Sequence, residues 1–160
     1  MSRLGIEKQK EEKMSKEMLT RVVHGVIHEG KQIQEGEDIV IVTAHRVGNF
    51  SGSGAHDFGG SEYAVARVDW IEPRKKNDED KYGWWELSEG DYLVEYNESV
   101  FPQNGRRCYF QIWSAAERNG LSQPFQVITE KREPLVATLH VPAAGASIKE
   151  NARISVVGLL

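Results

Sequence analysis

Ser114, Arg118 and Gly120 fall in one short segment, Ser114-Ala115-Ala116-Glu117-Arg118-Asn119-Gly120, and supply a hydroxyl, a guanidinium and a glycine. After a strand, that combination suits an anion. The guanidinium fork matches a phosphate, and an Asn-Gly turn lets the backbone approach closely. The other residues with chemistry to offer are scattered. His24 and His28 stand four apart, the spacing of two metal ligands on one helical face. No carboxylate in helical register joins them, and solvated histidines are the simpler reading. Arg74-Lys75-Lys76 is a basic triplet that could meet a phosphate, although a solvated loop is the default. Glycines 48, 52, 54, 59 and 60 cluster among serines, but without the Gly-Lys-Ser/Thr ending of a P-loop or a GxGxxG turn entering a helix. They read as a long β connection. His140, the one titratable group on its apparent strand, reads as a packed histidine rather than a base. Cys108 is the single cysteine, cannot form an intramolecular disulfide, and reads as a buried structural thiol.

The elements that must hold these groups are mostly strands. Tyr92, Val94 and Tyr96 alternate with Leu93 and Glu95, the period of a half-buried strand, behind the turn residues Ser88 to Asp91. Asp38 to Ala44 is an apolar, β-branched run suited to a buried strand. Tyr63 to Glu72, Arg106 to Trp113, Phe125 to Ile128, Leu135 to Val141 and Ala152 to Leu160 add further strands between turn clusters. One helix is expected. Met18, Leu19, Val22, Val23, Val26 and Ile27 form an apolar stripe, with Ser15 placed to cap it and Gly30 to stop it. Residues 1–14 are densely charged and are expected to form a disordered arm, leaving 15–160 as a single domain. The fold class is therefore mainly β, a barrel or jelly roll with one N-terminal amphipathic helix.

Composition narrows the function. The formal charge of −4 gives no overall basic footprint for DNA or RNA. No apolar run reaches membrane-spanning length, and the first residues carry lysine and glutamate without an apolar core, so neither a membrane partner nor a signal peptide is expected and the location is expected to be cytoplasmic.

Four blocks of this chain, in order, resemble the trimeric dUTPase and dCTP deaminase superfamily. Gln32-Ile33-Gln34 and the later Gly52 to Phe58 match its "KQIQ" and glycine-rich "GAIDF" blocks, except that Ile39 stands where the family has the aspartate of "GIDL", with Asp38 one residue away. Gly90, Tyr92, Leu93, Val94, Tyr96, Asn97, Glu98, Val100 and Pro102 follow the family's "GAYLVRYNE.V.IP" pattern. Ile112 to Gly120 falls on "PRSSLLRMG": Ser114, Arg118 and Gly120 are kept, while Trp113 replaces the first arginine and Ala115 the second serine. Asn151-Ala152-Arg153-Ile154 matches the closing "NARI" block. The resemblance covers about four fifths of the chain.

It implies a dUTPase-like fold, a homotrimer, and a pyrimidine deoxynucleoside triphosphate bound between subunits, with Mg²⁺ on the triphosphate where the member is active. Ser114, Arg118 and Gly120 are the implied phosphate-binding residues. Both branches of the family also need a carboxylate to hold and deprotonate the attacking water. The segment where the family keeps its aspartate, Ser122 to Glu133, has none, and Leu135 to Val141 has no glutamate for the deaminase role. Glu130 and Ser114 are the catalytic candidates, with Glu117 and Asp57 as further places to which a carboxylate could have moved. The family's closing tail has no counterpart after Leu160 in this sequence. The expectation is a divergent member that holds a nucleotide with weakened or lost catalysis. The alternatives are an active dUTP nucleotidohydrolase or dCTP deaminase with a relocated carboxylate, and a non-enzymatic structural or regulatory trimer.

Overall fold

The computed structural model describes residues 2–34 and 36–160, and of residues 12–14 the backbone alone. In chain order the elements are α1 (Arg3–Val22), β1 (Val23–His24), α2 (Glu29–Gln32), β2 (Ile39–Phe50), β3 (Val68–Trp70), β4 (Trp84–Leu87), β5 (Gly90–Tyr96), β6 (Ser99–Val100), β7 (Cys108–Ile112), α3 (Ser114–Glu117), β8 (Gln126–Ile128), β9 (Val136–Val141), β10 (Ala146–Lys149) and β11 (Arg153–Leu159). The chain is mainly β. A curled antiparallel sheet runs in the order β8-β7-β11-β2-β5-β9, with β3 beside the end of β2, and the short pairs β1/β6 and β4/β10 cover it.

β2 organises this sheet because it changes partner along its length. Its first half pairs with β11, from Ile39 opposite Gly158 to Thr43 opposite Arg153. Its second half pairs with β5, from Ala44 opposite Tyr96 to Asn49 opposite Tyr92. Register shifts lie at the same level on both sides, between Arg153 and Ser155 on β11 and between Ala44 and Arg46 on β2. Such bulges sharpen local twist and bend the strand, which is how one strand serves two halves of a curled sheet. The run Val40 to Ala44 is buried at every position, as its largely apolar, β-branched sequence predicts. On β5 the alternation is equally clear, with Tyr92, Val94 and Tyr96 buried and Leu93 and Glu95 half-buried. Phe110, Ile128, Leu139 and Val157 complete the core from the neighbouring strands. Cys108 is fully buried on β7, where burial pushes its thiol pKa up, so it packs as the expected structural thiol.

The N-terminal helix differs from expectation at both ends. It is capped by the Ser2 hydroxyl, which accepts from the Gly5 N–H, and it stops at Val22 rather than near Gly30. The charged stretch expected as an arm thus continues the helix, and it is exposed from Arg3 to Glu11 apart from half-buried Gly5. Its packed end is carried by Leu19 and Val22, both fully buried. The helix ends there because Val23 turns extended and pairs with Val100 of β6, and because Gly25 follows at φ +87. A Cβ on Gly25 would lie 2.6 Å from the Asn97 carbonyl oxygen, so only glycine fits. Val26 and Ile27 therefore lie beyond the helix. His24 and His28 do not share a helical face either. His24 stacks on Phe101 at 4.4 Å, and His28 caps α2 through Nδ1, which accepts from the Lys31 N–H.

Four strands were not anticipated: β1 and β6, which pair with each other, and β4 and β10, which pair antiparallel from Trp84 opposite Lys149 to Leu87 opposite Ala146. The expected strand from Tyr63 to Glu72 shrinks to β3. The residues before it form a hairpin within 51–67 closed by the Ala55–Ala64 pair. No helix among the described residues is long and apolar enough to cross a membrane.

Candidate functional site

The turn carrying Ser114, Arg118 and Gly120 is rigidly built. β7 delivers Trp113 to β11, where its N–H donates to the Ile154 carbonyl at 2.9 Å, and α3 starts at the next residue. Ala116 and Leu121 are buried and anchor the turn, and the Leu121 N–H returns to the Ala116 carbonyl at 3.3 Å. Gly120 takes φ +82, and a Cβ there would lie 2.8 Å from Cγ of Pro142. Conformation and close approach both select glycine at this position. The polar side chains of the turn face outward, for Ser114, Glu117 and Arg118 are all exposed. Trp113 is half-buried, and its ring is covered by the Arg153 guanidinium at 4.9 Å. The arginine that the resemblance places at 113 is absent, yet an arginine of β11 stands over the tryptophan that replaces it.

The carboxylate candidates are dispersed. The register of β7 and β8, Cys108 opposite Ile128 and Phe110 opposite Gln126, sends Glu130 past the start of β7 while Ser114 follows its end. The five residues of β7 span roughly 13 Å between those ends. Within one chain Glu130 and Ser114 are therefore not brought together. The Glu130 segment is instead strapped beside β6 by the Val100–Arg132 backbone pair. Asp57 is spent on its own hairpin, accepting from the N–H groups of Gly60 at 3.1 Å and Glu62 at 2.9 Å. Only Glu117 shares the turn with Ser114. Among the described residues, no hydrogen bond or ion pair links the side chains of Ser114, Arg118 and Glu130. Nor does any group of three or more His, Cys, Asp and Glu side chains gather that could hold a metal. The magnesium ion that the resemblance implies therefore meets no such set of side chains among the described residues.

Beyond Gly120 the chain pairs with β9 through Ser122 and His140, which exchange backbone hydrogen bonds of 3.2 and 2.8 Å. Directly opposite His140 on the other side lies Asp91 of β5, and His140 Nδ1 meets Asp91 Oδ1 at 2.9 Å. Asp91, His140 and Ser122 thus form a row across three adjacent backbone segments. They line a depression of about 380 Å³ together with Gln123, Pro124 and Thr138. His140 and Asp91 are each about half exposed, with 49% and 62% of their side chains open to solvent. His140 is accordingly an exposed, carboxylate-paired imidazole, not the packed histidine expected. Below the depression, Gln123 Oε1 accepts from the Ser155 hydroxyl, which also meets the Tyr96 hydroxyl at 2.6 Å. Burial pushes the Tyr96 phenol pKa upward, with its bond to Ser155 opposing, so it remains a neutral hydrogen-bonding group. The sequence signal for the His140 row was present but indirect. It needed the register of β5 against β9, which no local pattern supplies.

A second polar cluster is built around the buried side chains of Gln32, Thr43 and Glu98. Glu98 accepts from Gln32 Nε2 at 2.7 Å, the Thr43 N–H at 2.8 Å and the Thr43 hydroxyl at 2.7 Å. Asn97 Nδ2 donates to the Thr43 hydroxyl and to Asn151 Oδ1, each at 2.9 Å. Burial raises the Glu98 carboxyl pKa, and these donors pull against that rise. This carboxylate has no solvent exposure and is surrounded by its own partners. Its chemistry is structural.

Neither a protein-family model nor a curated protein sequence matches the chain. The architecture defines the class: this is a dUTPase/dCTP deaminase-like fold. A solved structure with that architecture is the 2'-deoxycytidine 5'-triphosphate deaminase from Agrobacterium tumefaciens, which aligns over 87% of this chain with a TM-score of 0.61 and 11% sequence identity. The chain spans 43% of that protein's length.

Proposed function

We propose that this protein is a dUTPase/dCTP deaminase-like, cytoplasmic homotrimer of pyrimidine deoxynucleotide metabolism that binds a pyrimidine deoxynucleoside triphosphate, with catalysis by the family route weakened or lost. One observation carries the reading. The Ser114 to Gly120 turn keeps a rigid backbone and an exposed hydroxyl and guanidinium, while β7 separates it from Glu130. A phosphate can be held by such a turn, but a water attacking it needs a positioned carboxylate or base. Loss of that group costs orders of magnitude in rate without abolishing binding.

Thermal stabilisation by dUTP and dCTP tests binding directly, because a ligand that binds only the folded state stabilises it by about 2.7 kcal/mol at a hundredfold excess over Kd. The expected result is stabilisation by one of the two nucleotides, reduced by Arg118→Ala and Ser114→Ala. Absence of stabilisation at millimolar nucleotide would reject the binding reading and leave the structural or regulatory trimer.

A second reading, an active hydrolase or deaminase, is favoured by the Asp91–His140 pair alone. Asp91 meets Nδ1 of His140, which lines the depression, and a carboxylate on one ring nitrogen is how an imidazole is oriented to accept a proton from water on the other. Pyrophosphate release from dUTP and ammonia release from dCTP, measured with magnesium and excess protein, decide it. Turnover lost in His140→Asn would establish this reading, and turnover no greater than in buffer would reject it.

A further inference from the structure

The hairpin 51–67 is a fixed structure that holds apolar side chains away from the body of its own chain. Its base is pinned by Ser51 and Arg67, whose backbone N–H and carbonyl meet at 2.8 Å and whose side chains meet at 2.9 Å. Its middle is closed by the Ala55–Ala64 pair, with bonds of 2.9 and 3.0 Å. Asp57 fixes the tip by accepting two backbone N–H groups, and His56 packs edge-on against Tyr63 at 5.6 Å. On this frame Phe58 is wholly exposed, Val65 is 77% exposed and Tyr63 57%. Aromatic side chains displayed on a rigid loop are the usual anchors of protein interfaces.

The charge of the hairpin selects the occupant. From Ser51 to Ala66 there is no lysine or arginine, while Asp57 and Glu62 flank the aromatic tip. The complementary surface lies on the same chain. Trp84 has Lys76 Nζ 4.0 Å and Lys149 Nζ 5.5 Å from its ring, brought there by the Arg74–Trp84 bridge and by the Lys149–Trp84 register. Among the described residues neither lysine has a carboxylate within ion-pair distance. Each ammonium group can therefore meet an incoming carboxylate, and the adjacent acid, Glu150, is held by the Gly83 N–H at 2.7 Å. The tip and the Trp84 face lie on segments that leave the β2–β3 ladder at opposite ends. The hairpin leaves the β2–β3 ladder at Phe50 and Val68, whereas Trp70 leads on toward Arg74 from the other end of that ladder.

We propose that the hairpin tip, led by Phe58 and Glu62, docks on the Trp84 face of a second copy of this chain, against Lys76 and Lys149. The contact joins two different surfaces, and repeated head to tail it gives a ring where the rotation between copies closes, as a homotrimer requires. It deepens the homotrimer of the proposed function by naming the surfaces that meet, and it does not depend on nucleotide.

Analytical ultracentrifugation without nucleotide tests it, with circular dichroism of each variant to confirm the fold. The wild type is expected to sediment as a closed oligomer. Phe58→Ala is expected to raise the dissociation constant by roughly thirtyfold, the scale of an interface hot spot. Glu62→Lys alone, and Lys76→Glu with Lys149→Glu, are each expected to shift the mass toward the single chain. All three reversals in one chain restore the contact, because each copy then offers a basic tip and an acidic face. A wild type with the mass of one chain, variants that keep the wild-type mass, or a combined variant that stays dissociated would overturn the proposal. Loss of nucleotide stabilisation with the oligomer intact would count against the binding reading alone.

Discussion

Gln32 Nε2 donates to Glu98 Oε2 at 2.7 Å and to the Ile41 carbonyl at 2.9 Å, so two side chains stand where β2 has no strand beside it. Alternate residues of a strand point their backbone groups to opposite edges. Val40 and Val42 exchange theirs with β11, leaving Ile41 and Thr43 to face the edge that β5 reaches only from Ala44 onward. Gln32 satisfies the Ile41 carbonyl and Glu98 satisfies the Thr43 N–H, as a paired strand would. Without them, buried backbone groups at the centre of the sheet would be unpaired.

Of the three donors to Glu98, the Thr43 hydroxyl can rotate away in Glu98→Ala, which leaves the Thr43 N–H and one Gln32 Nε2 hydrogen without their acceptor. Two orphaned buried donors, at about 1–3 kcal/mol each, predict a loss of at least about 2 kcal/mol. Urea unfolding of the variant at pH 7 measures it, and a loss below about 0.5 kcal/mol would show that water or relaxation replaces the carboxylate.

The pH dependence of this site has a fixed sign. Burial raises the Glu98 pKa in the folded state above its ordinary value, so the contribution of this group to stability is fully present below the unfolded carboxyl pKa, about 4.3. That contribution declines as pH rises through the folded value. The difference in urea midpoint between wild type and Glu98→Gln is therefore expected to shift against the wild type as pH rises from 4 through the weakly acidic range. A difference that moves the other way would mean that the three donors outweigh burial and hold the pKa down.

Gly120→Ala is expected to destabilise by more than about 1 kcal/mol, because alanine must adopt φ +82 and its Cβ meets Pro142. Pro142→Ala removes the Cγ that the new methyl would strike. The double variant should therefore recover part of the loss, leaving the backbone strain, and a double-mutant cycle in thermal or urea unfolding reads the coupling. Strict additivity would mean that strain alone sets the cost.

Arg46 lies with its guanidinium 3.7 Å from the Trp70 ring and forms a two-pronged pair with Glu95, at 2.7 and 3.0 Å. It joins β3 to β5 across β2. Lysine retains the charge but loses the planar fork and the stack. Solvent reaches Arg46, 42% exposed, and screens the pair, so Arg46→Lys is expected to cost only about 0.5–1 kcal/mol in urea unfolding. An unchanged midpoint would assign the contact no net energy.

The sequence motifs proved more informative about the fold than about the chemistry, and the buried cluster explains why. Gln32, Asn97, Glu98 and Asn151 come from three of the matched blocks, and the structure brings all four to Thr43 or its immediate neighbours. Residues that replace a missing strand are constrained by backbone geometry, whatever the protein binds, and so they mark a fold without marking a site. Alternation likewise located β5, which buries one face, while β9 was bounded by turn clusters and β11 marked by its apolar run. β4 and β10 escaped notice because they are four residues each. The helix boundary was misjudged because Val22 and Val23 continue the apolar stripe while tertiary pairing with Val100 extends the backbone. The dispersal of Glu130 and the pairing of Asp91 with His140 both depend on strand register, which emerges only when the sheet is assembled.

His140 and Asp91 separate structural from chemical roles by experiment. Both side chains are about half exposed, and a solvent-exposed polar contact contributes little, so His140→Asn is expected to change unfolding free energy by no more than about 0.5 kcal/mol. The same substitution removes the only imidazole lining the depression beside Ser122 and Gln123. If the depression takes part in nucleotide binding, the thermal stabilisation given by dUTP or dCTP falls in His140→Asn while the stability of the free protein does not. A large loss of stability without nucleotide would instead make the pair a clamp between β5 and β9, and the depression would owe its shape to that clamp rather than to a ligand.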